Sequence, residues 1–589
     1  MKALLTTISL FLLALLLMPA KSFAQTADTL DVAVLPVGNI NTVINGDTLA
    51  GGVRAHPNRV YRLKRQGIYQ LTEPIKINGN IIVYAPAGTD RPPVLMPAIL
   101  ADGSSIDHFF NLMGKGGKAI FMNLYLLSFR SDNAQLGWST AIRLNADSIN
   151  LKMRKVIIDG FTEAGIRQYS KWSSIDVQDC NFRNMQHSSS YFGGQPFMTD
   201  GLCSNDSVKF YNNTFFANNS YTFSIRGYDK FAAFEHNSLV YGIVNPFLMR
   251  QAYNLRMDNN LFYAMHAYGG IPEHVRDTWF LNYPDTLQSS IIFLRAKTDT
   301  VDGNVLLGEE AFIDTAGHVL APMVDPKNRF VEIENNSYFF PQKLIDFYKQ
   351  YNDTVKTTDI RYGVPVKRTL TMAAWIEAYT QNNIDNVFPK VSPNVTVKNN
   401  TNADPGFNAD INNHIDKVNE YIAKIATNKL DKQWFYGPAT QYPVTWPLPE
   451  NLAYSNTALQ TAGKDGLPLG DLNWFPEKKK LWREPTTGVE MIKSTQPSDY
   501  KLSQNYPNPF NPETKIEFAM RNNGMVKLVV YNILGQAVRT LVNEDMKAGT
   551  YSVSFNGRDN YGNQLASGMY IYSLETSSMK ITKKMMLLK

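Results

Sequence analysis

Three short stretches decide the fold: VKFYNNTF (208–215), AAFEHNSL (232–239) and LRMDNNLF (255–262). Stacked on their shared asparagine, they place Asn213, Asn237 and Asn260 in one column at separations of 24 and 23 residues. Before the column, apolar and polar residues alternate, as they do along a β-strand with one buried face. Val208/Phe210 and Leu255/Met257 then point inward.

Working outward, IFMNLYL (120–126), LKMRKVII (151–158) and IDVQDCNF (175–182) extend the column to Leu124, Val156 and Cys180. VDGN (301–304), VEIENNSY (331–338) and VTVKNNT (395–401) extend it to Asn304, Asn336 and Asn400. A minimum period of 23–24 residues is one coil of a solenoid, and the longer separations are coils that carry inserted loops. Two residues past the column runs a second apolar stack of Leu126, Ile158, Phe182, Phe215, Leu239, Phe262, Leu306 and Tyr338. A sharp bend between strands asks one residue for a left-handed conformation, which Asn tolerates well, and stacked amides can hydrogen-bond along the column.

This arrangement resembles the asparagine ladder of the pectate-lyase-like superfamily of right-handed parallel β-helices, over about residues 55–410. The expected fold class is all-β: a right-handed parallel β-helix with loop insertions near 263–292 and 340–392, plus a small C-terminal Ig-like β-sandwich. Residues 25–54 are expected to form an N-terminal cap and 411–482 an outer wrapping segment. Two helical stretches are expected in the second insertion, Gln342–Tyr351 and Thr371–Thr380. Cys180 sits on the column but Cys203 lies ten residues before its next member, so two separate buried thiols are expected rather than a disulfide.

The ends carry addresses. Lys2, a hydrophobic run from Ala3 to Met18 and small residues at Ser22 and Ala24 read as a secretory signal over 1–24, cleaved before Gln25. The apolar run is short for a bilayer, and no other stretch is apolar enough to span one. Residues 483–502 read as a linker. Beyond it, strand-like runs alternate with turn signals such as Asn522-Asn523-Gly524 and Ser567-Gly568. The blocks YPNPFNP (506–512), VYNILGQ (530–536), AGTY (548–551), ASGMY (566–570) and KMMLLK (584–589) occur in order. In order and spacing they resemble the type A sorting domain of type IX secretion substrates, over about 503–589. The resemblance implies passage through the periplasm, engagement of the type IX translocon and its sortase-like peptidase, and an extracellular or outer-surface destination.

Charge narrows the function. The chain is +6 overall, but residues 501–589 contribute +5 and the signal +2, leaving the body 25–500 at −1. A near-neutral body lacks the basic footprint of a nucleic-acid binder. The phosphate-loop, HExxH, GxSxG and paired CxxC motifs are all absent. Any catalysis must therefore come from residues that stacking brings together.

Two positions before the column, side chains face outward, and four in succession are acidic: Glu235, Asp258, Asp302 and Glu334. At ~4.8 Å between neighbouring strands, such carboxylates repel unless a cation or basic neighbours intervene. Ca²⁺ suits Asp258, Asp302 and Glu334, and is the one cofactor the pattern suggests. Arg256 and Lys209 could instead supply the charge and leave a salt-bridged surface. In the resembling lyases, calcium acidifies a uronate and a basic residue removes its proton; Arg256, and His274 in the adjacent insertion, are the candidates here. Tyr268 and Trp279 are candidate sugar-stacking rings. Two functions remain open: a polysaccharide-binding or structural and adhesive platform, and a polysaccharide lyase or glycoside hydrolase.

Overall fold

The computed structural model describes most of residues 28–588, apart from 268–289, 293–299, 314–329, 360–365, 388–393, 427–433, 483–488, 558–564 and shorter stretches. Two compact units separate along the chain: a body that holds nearly all of 24–480, and a unit that contains 481–589.

The body is a parallel β-helix with three sheets. The first runs through Val60–Leu63, Ile81–Tyr84, Lys118–Met122, Asn150–Arg154, Ser173–Gln178, Ser204–Tyr211, Ala232–Glu235, Leu255–Asp258, Phe330–Glu334 and Asn394–Lys398. The second runs through Ile75–Ile77, His108–Leu112, Thr140–Leu144, Ala164–Gln168, Gln195–Thr199, Phe223–Asp229 and Phe247–Ala252. The third starts at Ile68–Leu71 and ends at Thr401–Asn402. Inward side chains stack coil on coil. The Phe182 and Phe215 rings lie 5.0 Å apart and nearly parallel, and those of Phe223 and Phe247 4.8 Å apart. The helix Asn39–Gly46 packs on the first coil and adds Ile40 and Ile44 to the core.

The asparagine ladder is continuous from Asn213 to Asn400. Each amide nitrogen donates to the next Oδ1: Asn213 to Asn237 (3.0 Å), Asn237 to Asn260 (3.0 Å), Asn260 to Asn336 (2.9 Å) and Asn336 to Asn400 (2.9 Å). Each also donates back across the coil, for example Asn237 to the Phe210 carbonyl at 2.9 Å. Donors and acceptors that burial would leave unpaired are thereby satisfied.

Two expectations about the column need correction. Asn304 is not a rung, because Leu255–Asp258 pairs directly with Phe330–Glu334. Asn304 and Leu306 lie instead in an antiparallel ribbon of Thr300–Val301, Asn304–Leu307 and Ala311–Ile313. The left-handed residue is also not the ladder asparagine but the one before it: Asn212, His236, Asn259, Asn335 and Asn399 have φ of 52–61°. That residue turns the chain and leaves the ladder amide pointing inward.

In the second insertion the helix Gln342–Thr354 forms as expected. The stretch 371–380 differs: among its described residues Ala374–Ile376 is a strand, paired with Ser290–Ile292. Packing overrides the helical spacing there, since the Trp375 ring stacks on Tyr338 at 5.0 Å and meets Phe262 edge-on. Cys180 and Cys203 are buried and free.

The described residues between 434 and 450 run along the outside of the third sheet. They cover its apolar outer face, where Tyr125, Leu127, Phe129 and Ile157 meet Phe435, Tyr442, Val444, Trp446 and Leu448. The C-terminal unit consists of two four-stranded antiparallel sheets, one built on Thr514–Met520 and Gly549–Phe555, the other on Gly524–Tyr531 and Gly568–Thr576. Phe510, Ile516, Phe518, Val526, Leu528, Val553, Tyr572 and Leu587 fill the space between them.

Candidate functional site

The expected acidic strip is in register but is not an open surface. Glu235 pairs in the sheet with Asp258, and Asp258 with Glu334. All three side chains leave the wall outward, yet they are buried at 8, 3 and 4% exposure. The roof is the loop around Lys464, pinned by the Lys464 amide donating to Asn259 Oδ1 (2.7 Å) and the Gly470 amide donating to the Asn259 carbonyl (2.7 Å). The Lys464 ammonium lies 3.0 Å from Glu334 and 3.6 Å from Asp258. Lys398 approaches Glu334 at 3.5 Å, and Arg256 binds Glu332 at 3.0 Å with Asp258 at 3.9 Å. Burial raises the Asp258 carboxyl to about 7 despite Lys464 and Arg256. Arg256 is thus held in ion pairs that raise its pKa further, a poor setting for a proton acceptor. Asp302, Tyr268, His274 and Trp279 lie outside the described residues.

A second charged strip, half-buried, lies on the second sheet. Arg143 pairs in register with Arg167, and the two project outward because Ile142 and Ile166 beside them face the core. Carboxylates interleave with the guanidiniums: Asp107 to Arg143 at 3.0 Å, Arg143 to Glu163 at 3.6 Å, Glu163 in contact with Arg167, and Arg167 to Asp200 at 3.1 Å. His108 leans on Asp107 at 2.6 Å, and Thr140 donates to Glu163 at 2.6 Å. Burial lowers the His108 pKa, Asp107 only partly opposing it.

Two exposed aromatic rings flank this strip. Trp138, 53% exposed, precedes the strand Thr140–Leu144 and lies tilted against His187 with ring centroids 4.1 Å apart. Tyr169, 41% exposed, follows Ala164–Gln168, and the Arg167 guanidinium lies 4.7 Å from its ring centroid. Guanidiniums present forked donors to carboxylates and sulfates, and flat rings stack on sugar faces. Sequence reasoning followed the first sheet and passed over this one. Its signal was present: Arg143 and Arg167 are 24 residues apart, one coil period, each after an inward isoleucine.

Residues 509–580, inside the C-terminal unit, match the family model of the FlgD Ig-like domain. No curated protein matches the chain. Among solved structures the chain is similar to dimeric latent PorU from Porphyromonas gingivalis, at 16% identity and a TM-score of 0.14, over 16% of this chain and 10% of that one. It is also similar to PorZ, described as an essential surface component of the type-IX secretion system of the same organism, at 18% identity and a TM-score of 0.12, over 15% of this chain and 11% of that one. The chain thus spans about a tenth of the length of these two solved chains.

Proposed function

We propose that this chain is an exported, extracellular or surface-held β-helix whose second sheet binds a polysaccharide, and that its last domain is the address for type IX secretion. The observation that carries the binding reading is the half-buried strip of Arg143 and Arg167, together with the exposed rings of Trp138 and Tyr169. Successive coils repeat every ~4.8 Å, so Arg143 and Arg167 stand side by side, with Asn111 on the coil before and Met198 on the coil after. Binding is favoured over cleavage because both guanidiniums and the carboxylates between them are already engaged with one another. A hydrolase needs one carboxyl kept protonated and one free to attack. The address reading rests on the ordered blocks between Tyr506 and Lys589, together with the antiparallel sandwich they build.

The test is calorimetric titration with polyuronate, sulfated and neutral oligosaccharides, on wild type and on Arg143→Ala/Arg167→Ala and Trp138→Ala. At least one of these oligosaccharide classes should bind, and its binding should weaken more than about tenfold in Trp138→Ala and in the double variant. Equal binding by wild type and the double variant sinks the site. Shortened glycan in the cell would show instead that the platform is a lyase or hydrolase.

A further inference from the structure

The roof over the first sheet carries a second feature that the glycan reading does not use. Glu235 and His236 end one strand, and Asp465 comes down on them from the covering loop. One ligand atom of each lies within 4.8 Å of the other two. Glu235 is 8% exposed, and its carboxylate makes no hydrogen bond or ion pair among the described residues.

The imidazole is placed where neither neutral tautomer is satisfied. His236 Nε2 is 2.9 Å from Asp465 Oδ2 and 3.2 Å from Asn259 Nδ2. The Asn259 amide cannot be reversed, because its Oδ1 accepts the Lys464 backbone N–H at 2.7 Å. A proton on Nε2 therefore suits Asp465 and opposes the Asn259 NH₂. A lone pair there suits Asn259 and opposes the Asp465 carboxylate. The ring also meets the Gly470 backbone.

We propose that Glu235, His236 and Asp465 bind one divalent cation of the zinc class, which fastens the loop 463–467 to the wall of the β-helix. One imidazole nitrogen and two carboxylates are a three-ligand set of the kind zinc takes, with a fourth position left for water. Ca²⁺, which asks for six to eight oxygens, suits this nitrogen-containing trio poorly. Asp465 is 33% exposed at its side chain and gives the ion a route from solvent.

The experiment uses the full, untagged chain, stripped with chelator and dialysed against ZnCl₂. One equivalent of zinc should be retained by elemental analysis, and amide exchange across 459–475 should slow when zinc is added. Asp465→Asn, at a partly exposed position that the fold tolerates, and the isosteric Glu235→Gln should each weaken zinc binding by more than about tenfold. Wild type that retains no zinc, or variants that bind it as wild type does, would overturn the proposal.

Discussion

Arg183 and Glu450, 267 residues apart in sequence, face each other in a bidentate pair, Nε to Oε1 at 2.8 Å and Nη2 to Oε2 at 3.0 Å. The same guanidinium reaches Asp159 Oδ2 at 2.5 Å, and the Tyr125 hydroxyl donates to that oxygen. The network is buried and joins the outer face of the third sheet to the segment that wraps it.

One cation serves two buried carboxylates here, so its removal should cost far more than removal of either acid. Arg183→Met leaves Asp159 and Glu450 buried together and should lower stability by about 3–5 kcal/mol at pH 7. Glu450→Gln keeps an acceptor for the guanidinium and should cost about 1 kcal/mol. Urea denaturation of the two variants checks the order, and equal losses would mean that the pair is not the anchor of the wrap.

The ladder makes a sharper contrast. Asn237→Ala removes bonds to Asn260, Phe210 and Asn213 at once, and should destabilise by about 2–3 kcal/mol. Asn304→Ala, in a motif that reads the same in sequence, should stay within about 0.5 kcal/mol, because Asn260 bonds directly to Asn336. Thermal denaturation of both variants decides whether the ladder runs as the register says.

That contrast also marks how far the sequence could be read. A coil period of 23–24 residues repeats often enough to place Asn213, Asn237, Asn260, Asn336 and Asn400, because each coil must return its strand to the same sheet. Val301 and Asn304 satisfy the same letters from within an antiparallel ribbon, and no local rule separates them from a rung. The left-handed residue was misplaced by one because two adjacent asparagines, as in Asn259-Asn260, fit the bend equally well on propensity alone. At the site, the register of Glu235, Asp258 and Glu334 was legible. Their roof was not, since Lys464 and Asp465 belong to a segment with no period and arrive from more than a hundred residues further along the chain.

Burial of acids predicts a pH dependence. Asp229 is fully buried, accepts one bond from Asn205 at 2.7 Å, and burial raises its carboxyl to about 7. The folded state therefore holds a proton that the unfolded state releases above its ordinary value of 3.8. The stabilisation is complete below that value and is lost as pH rises towards 7, at up to about 1.4 kcal/mol per pH unit. Asp229→Asn keeps the acceptor oxygen and should flatten this part of the stability curve, gaining on wild type between pH 4 and 7. Parallel curves from denaturation across that range would show that Asp229 does not carry the effect.

The opening motif of the last domain should split into a folding half and a recognition half. Phe510 is 1% exposed, packs near Phe555, and its backbone brackets the final strand: its N–H donates to the Met586 carbonyl and its carbonyl accepts from Leu588, both at 2.9 Å. Phe510→Ala should cost about 3–5 kcal/mol and unfold the domain or leave it marginal. Tyr506, four residues earlier, is 82% exposed and contributes little to that core. Tyr506→Ala should leave the melting temperature of the C-terminal unit unchanged within about 2 °C. If the domain is an export address, a folded Tyr506→Ala chain should accumulate in the periplasm, while wild type appears outside the cell with its termini near Gln25 and within 483–505. Intact mass of the extracellular form reads both ends at once. Full-length C termini outside the cell, or normal export of the Phe510→Ala chain, would mean that this sandwich is cargo rather than address.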